Sequence, residues 1–238
     1  MKRPLMRLLR STFFNIIMFG SGAVLSIWCA LVARFLPDGI VRAARLWGRI
    51  CLWALRACCG IALEVEGREN LPEGGAIIAA QHQSALDILI WLSVVQHPVF
   101  VFKKELKRIP VFGGLMEPAG MISVDRGGGS TALREMVAGA ITAAKAGHQV
   151  IIFPEGTRVA YGTRGRIKNG IIALAHHSRM PVLPAATNSG LRWGRKAYGK
   201  HPGPVHVTIN PPMPAGLTHE EIVQWLERVY YGDQAAAA

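Results

Sequence analysis

AIIAAQHQSALD, residues 76–87, is the stretch whose reading decides the fold. Its first five residues, Ala76–Ala80, are a short apolar run of the kind that forms a buried strand. Gln81 and His82 follow. Ser84 then opens a helical pattern that runs to Gln96. Strand, short loop and helix in this order are the repeating unit of α/β sheets. In open sheets of that class, reacting groups gather just beyond the carboxyl ends of strands. His82 stands at such a place.

Working outward, apolar strand-like runs recur at Val99–Lys103, Met121–Asp125, Val150–Phe153, Val182–Ala186 and Val205–Ile209. Helical patterns at Thr131–Lys145, Asn169–His177 and Thr218–Tyr231 alternate with them. Gly147 fits a helix stop. Thr218 and Glu221 have capping-box spacing. The pattern predicts an α/β domain over residues 63–238, with a mixed, largely parallel sheet flanked by helices. Ala235–Ala238 reads as a frayed tail. No internal repeat is visible.

Residues 1–62 read differently. Half of the 238 residues are hydrophobic and the mean hydropathy is +0.26. The excess sits at the N-terminus. Thr12 to Ala33 contains no charged residue, enough for a helix to cross a bilayer core. That length, without a small-residue cleavage site, favours a retained anchor over a signal peptide. Pro37-Asp38-Gly39 predicts a turn into a second helix. That helix puts Arg42, Arg45, Arg49 and Arg56 on one face and Ile40, Leu46, Trp47, Ile50 and Trp53 on the other. This predicts a helix lying in the membrane interface. The whole segment is read as a two-helix membrane anchor. Basic residues flank the first apolar run on both sides. Both a hairpin dipping into one leaflet and a single spanning helix therefore remain open.

The formal charge is +12, and residues 1–60 hold nine basic residues against the single acid Asp38. Eight of the twelve charges thus lie in the anchor, as an anionic membrane surface requires. No recognition motif accompanies the charge, so nucleic acid is not expected as a partner. Cys29, Cys51, Cys58 and Cys59 lack zinc-ligand spacing and read as small apolar packing residues. No metal or cofactor is expected.

His82 is suited to general base work near neutral pH. Asp87 could fix its tautomer and stabilise the imidazolium. Five residues apart, they meet only if His82 precedes the helix and folds back onto its first turn. The plainer alternative is that Ser84 to Asp87 is a capping box and His82 an ordinary loop residue. No serine or cysteine sits in a nucleophile-elbow context. A base without a protein nucleophile implies direct attack by the substrate's own hydroxyl.

FPEGTR, residues 153–158, supplies the second half of the chemistry. Pro154 fixes φ, Gly156 tolerates positive φ, and Arg158 offers a bidentate fork to phosphate. Glu155 can hold Arg158 or nearby backbone. GMISVDR, residues 120–126, is a second strand ending in an arginine, Arg126. Lys103 and Lys104 end a third strand, and Lys168 lies in a following loop. Cations repeated at strand ends could converge on one dianion. A base and an anion site together point to acyl transfer onto a phosphate-bearing alcohol.

These motifs, in this order, resemble the glycerolipid acyltransferase family, specifically the bacterial 1-acyl-sn-glycerol-3-phosphate acyltransferases. His82–Asp87, Gly120–Arg126, Phe153–Arg158 and Val182-Leu183-Pro184 match its four blocks. Lys104-Glu105-Leu106 followed by Ile109-Pro110 is also similar to the family. The resemblance covers roughly residues 63–215. It implies conversion of lysophosphatidic acid to phosphatidic acid, with acyl-CoA or acyl carrier protein as donor. It implies His82 as base with Asp87 as its partner. Substrate binding falls to Lys104, Arg126, Glu155, Gly156, Thr157 and Arg158. It also implies membrane lipids as partners and a place at the inner membrane, with the catalytic domain on the cytoplasmic side. The family's usual Asn before the histidine is Gln81 here. Gly127-Gly128-Gly129 makes the loop after Arg126 unusually flexible.

Other readings stay open at this stage. The acceptor could be another lysolipid, such as lyso-ornithine lipid. The chain could be a non-catalytic basic membrane-binding module. His176-His177 with nearby acids could form a metal hydrolase site. Backbone N–H groups opening the Ser84 helix are candidate donors to a tetrahedral oxyanion.

Overall fold

The computed structural model describes residues 2–36, 38–109, 112–125 and 127–232. Pro37, Pro110, Arg126 and Ala235–Ala238, all read above from sequence, lie outside the described residues. Seven strands form one sheet: β1 (Ile61–Glu66), β2 (Ala76–Ala80), β3 (Pro98–Lys103), β4 (Ile122–Val124), β5 (Gln149–Ile152), β6 (Val182–Thr187) and β7 (Gly203–Ile209). Their spatial order is β1-β7-β6-β2-β5-β3-β4. Every neighbouring pair is parallel except β6–β7. The sheet is therefore mixed and largely parallel, as the sequence predicted. β1 was not expected. It follows the apolar anchor without a break in hydrophobicity, so its own start carries no signal.

The helices are α1 (Lys2–Leu31), α2 (Gly39–Ala54), α3 (Leu86–Val94), α4 (Phe112–Met116), α5 (Gly129–Lys145), α6 (Asn169–His177), α7 (Ser189–Arg192) and α8 (His219–Tyr231). They cover both faces of the sheet. Ile78 and Ala80 of β2 point into one core with Phe14, Leu55, Leu89 and Ile90. Ile77 and Ala79, one residue out of phase, point into the other with Met136, Ile171, Leu174 and Leu226. This period of two explains why all five residues of β2 are buried. α1, α2 and α3 cover the first face; α5, α6 and α8 cover the second.

Five parallel strands deliver their carboxyl ends to one edge. At that edge β2 gives way to Gln81 and His82, β5 to the Phe153–Arg158 loop and β6 to Asn188 and Ser189. β7 runs against β6, so Gly203 and the loop before it reach the same edge. β1 starts there too, at Ile61.

The interfacial reading of α2 needs correction. Ile40, Ala43, Gly48, Cys51 and Ala54 are buried, and Trp47 donates its indole N–H to the Met18 carbonyl of α1 at 3.0 Å. A Cβ on Gly48 would lie 3.0 Å from Leu92 and Ser93 of α3. The apolar face of α2 is thus covered by protein, not lipid. What stays exposed is a single stripe of Arg42, Leu46, Arg49, Trp53 and Arg56, in which cations alternate with apolar residues.

Candidate active site

The site is built where the β2 and β5 ends meet. Gln81 anchors the start of the loop: its amide donates to the Tyr230 carbonyl and accepts from Thr187 N–H, each at 3.2 Å. This substitute for the family's Asn is a buried tie between β2, β6 and α8. His82 comes next and is held from three sides. Its backbone N–H donates to Glu155 Oε2 at 2.7 Å. Its carbonyl accepts from Val159 N–H at 2.8 Å. Its ring stacks on Phe153, with centroids 4.0 Å apart and planes inclined by 18°. The second motif therefore grips the first.

Asp87 both caps the turn and orients the His82 ring. Its Oδ2 accepts from Gln83 N–H at 2.8 Å and Ser84 N–H at 2.9 Å. The same oxygen accepts from His82 Nδ1 at 2.8 Å. A carboxylate oxygen only accepts, so Nδ1 carries the hydrogen and Nε2 keeps its lone pair. The His82 side chain is 14% exposed while that of Asp87 is 2% exposed. The imidazole thus reaches solvent from beside a carboxylate that is almost fully buried. Asp87 also sits in the first turn of α3, where the helix dipole favours a negative charge.

Sequence reasoning placed oxyanion donors among the N–H groups opening this helix. Those of Gln83 and Ser84 are committed to Asp87, and Leu86 N–H donates to Ser84 Oγ at 3.1 Å. Two of the candidate donors are thus spent on the carboxylate that holds the His82 ring.

Glu155 is 2% exposed. Beyond His82, its Oε1 accepts from Tyr231 O–H at 2.8 Å. Burial pushes its carboxyl up to about 7, opposed by the hydrogen bonds from His82 and Tyr231. Both oxygens are spent inside the fold. Gly156 turns the loop at φ +66° and lies against the Lys168 side chain. Thr157 and Arg158 follow, both exposed, and Arg158 has no ion pair among the described residues.

The remaining predicted cations lie further along the same edge. Lys104 Nζ is 3.7 Å from Asp125 Oδ2, and both groups are exposed. Such a pair contributes under about 1 kcal/mol, so Lys104 is free to change partner. Strands lie about 4.8 Å apart. Arg158 follows β5, the neighbour of β2. Lys104 follows β3, roughly 10 Å from β2 by the same spacing. Arg126 lies outside the described residues. The His176 and His177 rings stand at 90°, 6.5 Å apart, with His176 Nε2 against the Leu217 carbonyl at 3.0 Å. They do not converge on one ion.

Two further residues of the site had no local signal. Ser189 donates its hydroxyl to Asp87 Oδ1 at 2.5 Å across 102 positions. Tyr231 reaches Glu155 across 76. Only the folded chain brings them together.

Comparison with known proteins agrees with this geometry. The family described as Acyltransferase matches residues 62–188, from β1 to the end of β6. The 1-acyl-sn-glycerol-3-phosphate acyltransferase of Pseudomonas aeruginosa is 33% identical over 87% of this chain and 81% of its own. The enzyme of that name from Cocos nucifera is 31% identical over 86% of this chain and 68% of its own. The crystal structure of the 1-acyl-sn-glycerophosphate (LPA) acyltransferase from Thermotoga maritima superposes with a TM-score of 0.75. It is 25% identical and covers 99% of this chain and 97% of its own. With over half its length matched by the family and a relative 33% identical over most of both chains, the chain belongs to the acyltransferase family, among the 1-acyl-sn-glycerol-3-phosphate acyltransferases.

Proposed function

We propose that the protein transfers a fatty acyl group from an acyl thioester to the sn-2 hydroxyl of 1-acyl-sn-glycerol-3-phosphate, forming phosphatidic acid. One observation carries the mechanism: Asp87 accepts the hydrogen bond of His82 Nδ1, which leaves Nε2 as the ring nitrogen with its lone pair, on a side chain that is partly exposed. Nε2 removes the hydroxyl proton as the oxygen attacks the thioester carbonyl. The tetrahedral intermediate collapses, the carbon–sulfur bond breaks, and the imidazolium returns its proton to the leaving thiolate. Asp87 stabilises the imidazolium in between.

Arg158 is assigned the first hold on the acceptor's phosphate. It is exposed, adjacent to the base by one strand, and its fork suits a dianion. Thr157 beside it and Lys104 further out are assigned supporting contacts, as is Arg126 from its place in the sequence motif. Glu155 and Gly156 are assigned to shaping the loop, since Glu155 has no oxygen to spare. A cleft of about 300 Å³ lies beside Leu86, lined by Leu52, Leu55, Ile61, Leu63 and Val205. Its walls, apolar except for Arg56, suit an acyl tail. The donor is a thioester of coenzyme A or of acyl carrier protein.

Residues 1–62 are assigned to membrane attachment and 63–238 to catalysis. α1 is long and apolar enough over Pro4–Leu31 to cross a membrane, by length and composition. One side of it, with Ser11, Phe14, Met18 and Cys29, is buried on the protein. The other side exposes Leu5, Leu9, Phe13, Ile16, Phe19, Val24 and Leu31. A helix with one face packed along its length favours attachment to one leaflet over spanning. The exposed stripe of α2 adds cations and Trp53 for the headgroup region. The cytoplasmic face of the inner membrane fits the four free thiols.

The test is acyl transfer by purified protein in detergent, with wild type beside His82→Ala. Phosphatidic acid formed by wild type and lost by at least about a hundredfold in the variant is the expected result. Normal turnover by folded His82→Ala would remove the base from the scheme. Lyso-ornithine lipid offered as a competing acceptor tests the substrate. Preference for it would keep the mechanism and overturn the acceptor.

A further inference from the structure

We infer that Ser189 is a positioning residue for the His82–Asp87 pair, carried to it by the turn after β6. The inference rests on His82 acting as the base. Three donors crowd onto Asp87 Oδ2: His82 Nδ1, Gln83 N–H and Ser84 N–H. The other oxygen, Oδ1, is met by the Ser189 hydroxyl. Asp87 and Ser189 are 1% and 0% exposed, so no water substitutes readily for that hydroxyl. A carboxylate pinned at one oxygen only can pivot about its Cβ–Cγ bond. A donor on the second oxygen stops that motion and keeps Oδ2 in line with Nδ1 while the imidazolium forms.

Ser189 is itself held. Its N–H donates to Thr187 Oγ1 at 3.1 Å. The same turn touches the loop twice more, on either side of His82. Thr187 N–H donates to Gln81 Oε1 at 3.2 Å and Gly190 N–H donates to Gln83 Oε1 at 3.0 Å. A Cβ on Gly190 would stand 3.0 Å from that Oε1 and 3.1 Å from the Gln83 Cβ, so the approach is close enough to favour glycine. The turn from Thr187 to Gly190 therefore brackets Gln81, Gln83 and Asp87 together. This gives the fourth family block, Val182-Leu183-Pro184, a purpose in this chain: β6 delivers the bracket. Ser189 is fully buried and acts through Asp87, not on substrate.

The experiment measures kcat, acceptor KM and Tm for Ser189→Ala and Ser189→Thr beside His82→Ala. Ser189→Ala is expected to lower kcat by about tenfold to a hundredfold, since small misplacements of a base cost that much. Acceptor KM should stay within about twofold, because ground-state binding is untouched. Ser189→Thr restores the hydroxyl and should recover most of kcat. If Ser189→Ala does not fold, Ser189→Cys replaces it; a thiol is a weak donor, and the same loss of kcat is expected. A folded Ala or Cys variant with kcat within about twofold of wild type overturns the inference. So does a loss confined to KM, or an equal loss in folded Ser189→Thr. Turnover by His82→Ala would instead bring down the base assignment itself. An inert His82→Ala beside a fully active Ser189→Ala removes only the positioning role.

Discussion

Glu155 lies where water does not reach, yet it must accept two hydrogen bonds. Burial raises its carboxyl from the ordinary 4.5 to about 7. The folded state then holds the proton more tightly than the unfolded chain does. Its contribution to stability is complete below pH 4.5 and is lost as pH rises to about 7. The shift corresponds to about 3 kcal/mol. Glu155→Gln removes this dependence but keeps an acceptor for His82 N–H. Its amide can donate to Tyr231, whose own hydrogen can turn to the Gly165 carbonyl 3.5 Å away. Urea unfolding should show the wild-type stability falling by about 3 kcal/mol relative to Glu155→Gln across that window. A constant difference would contradict the buried titration. Activity should survive within about tenfold if Glu155 only shapes the loop. At this scale His82 and Asp87 were legible, because base and carboxylate share one local turn. The commitment of Glu155 was not, because its partner Tyr231 lies at the other end of the domain.

Elements with their own start and stop signals were read most closely. α6 spans Asn169–His177 as predicted, and Thr218 caps α8 with the reciprocal Glu221 bonds that its spacing implied. β1 was missed, and with it the wall of the apolar cleft. Leu63 of β1 lines that cleft beside Val205 and Leu86. If the cleft holds the acyl tail, Leu63→Trp should shorten the chains accepted. Each methylene kept out of an apolar site forfeits about 0.8 kcal/mol, about fourfold in kcat/KM. Competition between acyl donors of different length reads this directly. Unchanged chain selectivity in an active Leu63→Trp would place the tail elsewhere. α2 shows the converse lesson. Its division into an arginine face and an apolar face was only partly right: Leu46 and Trp53 lie exposed among Arg42, Arg49 and Arg56, and Arg45 is half-buried. Packing of α1 and α3 decides which face meets protein.

For the molecule as a whole, the question is whether α1 belongs to the membrane or to the fold. Neighbouring phenylalanines divide the answer. Phe14 is fully buried and meets the Trp193 ring edge-on at 5.5 Å, while Phe13 is 62% exposed. The seat continues through Lys200, whose ammonium donates to Asn15 Oδ1 at 2.7 Å and lies 4.9 Å from the Phe14 ring. Burial pushes that ammonium down to about 8. Trp193 directly follows α7, which Ser189 opens, so the segment that steadies Asp87 also grips α1. Phe14→Ala should therefore behave as a core deletion costing about 3–5 kcal/mol. For a chain of this size that is a Tm loss of roughly 10 °C. It should also reduce kcat, because the loosened segment carries Ser189. Phe13→Ala should leave Tm and detergent activity unchanged and weaken binding to anionic vesicles by about tenfold or more, the burial worth of one aromatic side chain. Equal loss of Tm in both variants would mean that α1 is wholly part of the fold. Unchanged Tm in Phe14→Ala would mean that its contact with the catalytic edge holds nothing in place.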